Sequence, residues 1–177
     1  MDTLAHGLWT NIIFQRRRPY GRWWPVFFGV APDLFSFGPF FLTRLLRGLW
    51  PLVRPELDII PFYVSILYNY THSLIIFLAI FVGVALWRVG RVWWPLGAWG
   101  LHILIDIGTH TDEFFPTPFL FPLSSWKFSG ISWADKTFMA VNYFVLIILY
   151  VVLIFYRRRV KNSRALKLDN NIDDDKI

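Results

Sequence analysis

Four histidines and two aspartates carry the chemistry this sequence has to offer. His6, His72, His102 and His110 are its only histidines, and each lies in or beside an apolar run, as do Asp33 and Asp106. Imidazole nitrogen and carboxylate oxygen are the ligand atoms of zinc and similar divalent ions. They are also common carriers of protons in acid–base catalysis. In "HILIDIGTH", residues 102 to 110, His102 and Asp106 stand four apart, so on a helix they face the same way one turn apart. His110 extends that stripe if the helix continues past Gly108. Asp2 and His6 repeat the pairing in reverse order. Four imidazoles and two carboxylates exceed the three protein ligands of one catalytic zinc, which favours two ions, or one ion with a general base. With no cysteine in the chain, disulfides and thiolate ligands are excluded.

The elements that must position these groups are apolar. The chain has 177 residues, 55% of them hydrophobic and 20% aromatic, too apolar for an ordinary soluble domain. Ten tryptophans and eighteen phenylalanines suit a body that meets both hydrocarbon and headgroups. The net charge of +6 sits in clusters at the ends of apolar runs, which is a topology signal, so no nucleic-acid partner is expected. The expected partner is the lipid bilayer.

The clearest transmembrane helix is 137–156, whose length matches the roughly 20 residues needed to cross a hydrocarbon core. "RRRVK" follows it and puts that end in the cytoplasm. Residues 157–177, basic then acidic, have little apolar content and read as a disordered cytoplasmic tail, leaving 1–156 as the membrane-embedded domain. Segments 73–87 and 92–108 are two shorter helices joined by the basic turn "RVGR", with Pro95 tolerated in a first turn. Residues 4–14 form a short helix ending at "QRRRPYGR"; its charge follows the apolar stretch, unlike a cleaved signal peptide.

Segment 23–42 runs outward with breaks at "APD" and "FGP", Pro32 disfavouring helix at Ala31 so that Asp33 starts a new segment. Residues 43–58 read as an interfacial stretch bearing Arg44, Arg47 and Arg54, and 59–70 lead back to His72. The loop 109–136 is expected to be extracytoplasmic.

This topology allows a depth test. His6, Asp33 and His102 stand ten or eleven residues from Arg16, Arg22 and Arg91, which is ~15–17 Å along a helix. His72 and Asp106 come out at ~22–24 Å from Arg88 and Arg91. The polar groups therefore agree in depth, in the outer half of the membrane, and ionisable groups there face a protein interior or a wet cavity. Each residue also has a plainer reading. Asp33 can be a helix N-cap, His72 a cap at the helix starting near Ser73, His6 an interfacial residue and His110 a solvated loop residue. His102 with Asp106 can be an ion pair that holds a bundle together. Depth and direction together favour a shared site.

"MDTLAHGLW", "VAPDLFSF", "YTHSL" and "HILIDIGTHTDEFFPTPFLFPLS" resemble, in that order, the membrane-bound metal-dependent hydrolases of the YdjM type (the DUF457 family). The likeness runs to about residue 150, and Gly108 departs from the proline expected there. The resemblance implies metal ligands at His6, Asp33, His72, His102 and Asp106. It also implies a distant relation to zinc-dependent phospholipase C and the P1-type nucleases, and so a phosphoesterase reaction class.

The expectation is an all-α, polytopic membrane bundle of about four or five apolar helices around a polar site near the extracytoplasmic side. His6, Asp33, His72, His102, Asp106 and His110 are the candidate metal ligands for one or two divalent ions, with zinc favoured. Asp33 and Asp106 are the candidate catalytic carboxylates, and Thr71, Thr109 and Asp2 can orient ligands. The outer arginines and Lys127 can attract an anionic headgroup. A metal-dependent hydrolase of a lipid or other membrane-associated phosphoester is the favoured function. A proton or metal-ion pathway, or a purely structural membrane protein, would use the same groups.

Overall fold

A computed structural model describes residues 1–14, 21, 23–49 and 55–174, with side chains through Lys161. The described residues form seven α-helices and two short 3-10 turns, with no strand among them. The fold class is all-α, as the apolar periodicity predicts. Contacts divide the chain into two units, Met1–Met139 and Ala140–Ile177.

The first unit holds six helices: α1 (Thr3–Phe14), α2 (Trp23–Ser36), α3 (Gly38–Leu46), α4 (Phe62–Thr71), α5 (Leu74–Trp87) and α6 (Gly97–Thr109). Helix α2 packs against α1, α4 and α6, and α6 also meets α1 and α5. The α1–α2 approach is close because position 29 carries no side chain; a Cβ there would collide with Thr10.

Helix α2 departs from the expected break at "APD". It runs through Pro32 to Ser36, so Asp33 lies within a helix and is not its N-cap. A proline removes one backbone donor and strains a helix, but neighbouring side chains can re-satisfy the backbone. Here Ser36 Oγ donates to the carbonyl of Pro32 at 2.8 Å. The chain bends instead at Phe37, just before "GP", where α2 and α3 meet at 65°. Pro39 in the first turn of α3 can supply no amide to continue α2.

A second bend, of 52°, separates α4 from α5 at His72 and Ser73. Ser73, not His72, caps α5: its Oγ accepts from the amide of Ile76 at 3.2 Å and donates to the carbonyl of Phe121. Of the stretch 43–58, residues to Leu46 belong to α3 and Leu57–Ile59 form a 3-10 turn, while Arg54 and the "QRRRPY" part of the first basic turn lie outside the described residues. The helix expected from residue 92 starts at Gly97, after a 3-10 turn over Trp94–Leu96 that takes up Pro95.

Helix α6 survives Gly108 and ends at Thr109. Its last carbonyls are not left to water. Ile131 donates to the carbonyl of Gly108 at 3.0 Å, Trp133 to that of Thr109 at 2.9 Å and Gly130 to that of His110 at 2.7 Å. This ties the 111–135 loop across the helix end, and a side chain at Gly130 would run into the backbone of Gly108.

Helix α7 (Lys136–Asp174) contributes the second unit. Asp135 starts it, accepting the amide of Phe138 on its carboxylate at 2.8 Å. The stretch Lys136–Lys161 contains an 18-residue window with a mean hydropathy of 2.7 and is the one described helix long and apolar enough to cross a membrane by itself. Its 26 residues span about 39 Å, against roughly 30 Å of hydrocarbon. The helix does not stop at Tyr156, and its backbone stays helical through Asp174, into the stretch expected to be disordered. No glycine or proline follows Lys136 to end it. The pairs α2–α3 and α4–α5 reach the length and hydropathy of a span only when each bent pair is taken together.

Candidate metal centre

The two bends and α6 bring the polar residues together. Asp33 lies one turn before the first bend, His72 occupies the second, and His102 and Asp106 face inward one turn apart on α6. One ligand atom from each of these four residues lies within 4.8 Å of every other. His72 Nε2 stands 3.1 Å from His102 Nε2, 3.4 Å from Asp33 Oδ1 and 3.4 Å from Asp106 Oδ2. His102 Nε2 stands 3.7 Å from Asp33 Oδ1 and 3.2 Å from Asp106 Oδ2. Four ligands at the ~2.0–2.1 Å of zinc–nitrogen and zinc–oxygen bonds lie about 3.3–3.4 Å apart at the corners of a tetrahedron. Five of the six edges, at 3.1–3.7 Å, bracket that value, and the sixth, between Asp33 and Asp106, lies within 4.8 Å.

The hydrogen bonds around the imidazoles say which nitrogen faces inward. His102 Nδ1 lies 2.7 Å from the carbonyl of Gly29, which can only accept, so Nδ1 carries the hydrogen. His72 Nδ1 lies 2.9 Å from Thr71 Oγ1, whose own hydrogen goes to the carbonyl of Leu67, so this nitrogen also donates. In the neutral rings both Nε2 atoms then present lone pairs to each other at 3.1 Å. Asp106 Oδ2 is buried close to both and accepts no hydrogen bond. Two facing lone pairs and an orphaned carboxylate oxygen are mutually repulsive without a cation among them. The donor set therefore fits a metal ion, and the Gly29 and Thr71 contacts are the outer bonds that orient metal-binding histidines.

Asp106 has a second face. Its Oδ1 accepts from His6 Nε2 at 2.8 Å, lies 3.4 Å from His110 Nε2 and takes the α-amino group of Met1. His110 uses Nδ1 to donate to the carbonyl of Phe115 at 2.9 Å, and its buried Nε2 has no hydrogen-bond partner. The His6 ring stacks on His102 at 3.7 Å. His6 and His110 are thus buried in the site, neither interfacial nor solvated as their plainer readings hold.

All six candidate ligands come together in this way. Of the orienting candidates, Thr71 holds His72, and Thr109 Oγ1 receives the α-amino group of Met1 at 2.9 Å and lies 3.4 Å from Asp106 Oδ1. Asp2 Oδ1 caps α1 through the amide of Ala5 at 3.0 Å. The cation Arg44 sits 5.7 Å over the Phe40 ring.

Three contributors escape the sequence reading. Thr3 Oγ1 donates to Asp33 Oδ2 at 2.7 Å, the Gly29 carbonyl holds His102, and the Tyr68 ring stacks on His72 at 3.8 Å. Only Tyr68, four residues before His72 and in the last turns of the helix that His72 ends, left a spacing that could have revealed it. Asp33 is the one member of the central four with side-chain exposure, 14% against 0% for His72, His102 and Asp106. It faces a cavity of about 390 Å³ that also touches His110, Met1, Asp2 and Thr3. No family model or curated protein matches this chain, and no solved structure does.

Proposed function

We propose that this protein is an integral, multi-pass membrane enzyme that hydrolyses a phosphoester of a lipid or another membrane-associated molecule with the help of a bound divalent metal, with zinc favoured. The observation that carries the reading is the convergence of Asp33, His72, His102 and Asp106 at tetrahedral spacing, with the Nδ1 atoms of both histidines already engaged. The order of the site motifs, which resembles that of the YdjM-type hydrolases, supports the reaction class. The bent pairs α2–α3 and α4–α5, counted as broken spans in addition to α7, support the multi-pass arrangement, and the basic run after Tyr156 supports a cytoplasmic C-terminus with the site toward the outer face.

A divalent ion in such a site supplies Lewis acidity and lowers the pKa of a coordinated water from 15.7 toward about 7. The chain's own residues do the rest. His72 and His102 offer Nε2 lone pairs, and Asp106 supplies a buried charge that balances the cation. With these three as protein ligands one position of the ion would stay open, and Asp33, open to the cavity, would take the proton as water attacks. Thr3 keeps Asp33 turned toward the site through its 2.7 Å hydrogen bond. His6 and His110, beside Asp106 Oδ1, would be the residues to hold a second ion if the α-amino group of Met1 were displaced from that oxygen.

Elemental analysis of the protein purified in mild detergent, beside the His102→Ala, Asp106→Ala double variant, tests the centre. The expected result is at least one zinc or similar ion per chain in the native protein and none in the variant. A native protein without stoichiometric metal ends the hydrolase reading. Bound metal with no cleavage of phosphodiester or phosphomonoester substrates, together with zinc uptake into proteoliposomes, gives the site to transport instead.

A further inference from the structure

The 390 Å³ cavity that reaches Asp33 and His110 lies within the range of about 300–1,000 Å³ seen for small-molecule sites. Its two ends differ in chemistry. Asp33, His110 and Thr3 line the end next to the metal centre. Leu34, Phe37, Gly38, Phe41, Pro55, Phe114 and Trp133 make most of the remaining wall hydrocarbon and aromatic, with Met1 and Asp2 completing the lining. The wall is continuous with the site: Phe37 meets Tyr68 edge-on at 6.0 Å, and Tyr68 stacks on His72 at 3.8 Å. A small polar substrate would leave this apolar length wet, and a wholly apolar one would leave Asp33 unanswered. An amphiphile satisfies both ends.

We propose that this cavity binds the hydrocarbon portion of an amphiphilic substrate, a chain of several methylenes lying against Phe37, Phe41 and Trp133 while its anionic head meets the metal centre beside Asp33. The assignment rests on the metal-centre reading above and adds that chain length, not only the head, selects the substrate. Gly38 is the specificity-determining position. It lines the cavity, its φ is not in the left-handed region, and a Cβ built there meets nothing within 4 Å. A side chain at 38 therefore grows into open space instead of into the fold.

The test uses the full-length protein in nanodiscs, loaded with cobalt so that binding at the metal is read from the visible absorption bands. The probes are inorganic phosphate and the ethyl-, hexyl- and octylphosphonates, which share a head and differ in chain. The native protein is expected to bind hexylphosphonate at least about tenfold more tightly than ethylphosphonate, since each buried methylene adds to affinity. Gly38→Phe should keep the cobalt bands and bring the hexyl-to-ethyl ratio close to one. Phe41→Ala, which lengthens the cavity, should shift the preference from hexyl- to octylphosphonate, so the proposal stays open to test even if Gly38→Phe does not fold. Equal affinity for phosphate, ethyl- and hexylphosphonate in the native protein overturns the proposal. So does a chain-length preference that is the same in the native protein and both variants, because it then comes from the bilayer. A native protein that shows no cobalt bands at all overturns the metal centre, and this proposal with it.

Discussion

Along Lys136–Lys161, α7 exposes Phe144, Ile147, Ile148, Val151, Val152 and Phe155, while the unit formed by Met1–Met139 buries His6, His72, His102, Asp106 and His110 and exposes Trp23, Phe35, Phe62 and Leu86. Both regions are apolar by composition, yet they use that composition differently. Helix α7 is apolar all round and needs only a solvent that matches it. The first unit is inverted relative to a soluble domain, with ionisable groups inside and large apolar side chains outside. A buried ionisable group is costly unless partners meet it, so that interior requires ligands brought from far along the chain. One region shows what composition can do alone, and the other shows what only assembly can do.

The contrast can be broken most completely at the polar interior. In the His102→Ala, Asp106→Ala double variant, metal stoichiometry should fall to zero, read by elemental analysis, while α7 continues to insert. If metal stays bound, the interior is not organised around these residues. The reciprocal change strikes α7 at its midpoint: Ile148→Arg places a charge where the helix has only apolar neighbours, at a cost of roughly 2.5–3.5 kcal/mol for insertion. A glycosylation or protease-protection reporter would read the fraction inserted, and an unchanged fraction would mean that α7 does not lie in hydrocarbon.

A smaller effect belongs to the loop that closes the site. Gly130→Ala forces a methyl group against the Gly108 backbone and should destabilise the first unit by about 1–3 kcal/mol, seen as a lower thermal midpoint in detergent. No change there would mean that the 111–135 loop does not hold the end of α6. The finest adjustment is Thr71→Val, which removes the acceptor for His72 Nδ1 without touching a proposed ligand. Metal affinity should weaken by roughly 10- to 100-fold in a chelator competition, with the fold intact. An unaltered affinity would leave Thr71 as a helix-end residue only.

How much of this was legible before the fold depends on the range of the interaction. Local spacing carried α5, α6 and the apolar part of α7 to within a few residues, because helical periodicity is a property of neighbours. It also placed His102 and Asp106 on one face, with His110 joining them only if the helix continued past Gly108. Proline was misleading at position 32, where Ser36 and the packing of α2 against α1, α4 and α6 keep the helix continuous, and informative at position 39, where the missing amide coincides with the bend. The tail after residue 156 has few apolar residues, and that reading alone did not anticipate a backbone without a helix breaker.

The chain's order of residues was enough to say that its histidines and aspartates stand in apolar surroundings, that His102 and Asp106 share a helical stripe, and that one segment can span a bilayer. Those statements concern residues a few positions apart, or composition, and a linear sequence holds both. It could not say that Asp106 would turn one oxygen to His6, a hundred residues away, and the other toward His72 and His102. Nor could it show that Gly29 and Thr71 would turn two imidazoles inward, or that Asp33 and His110 would look into a largely apolar cavity. Those are relations between helices. They exist only once two bends and a glycine contact let α1, α2, α4 and α6 share one interior.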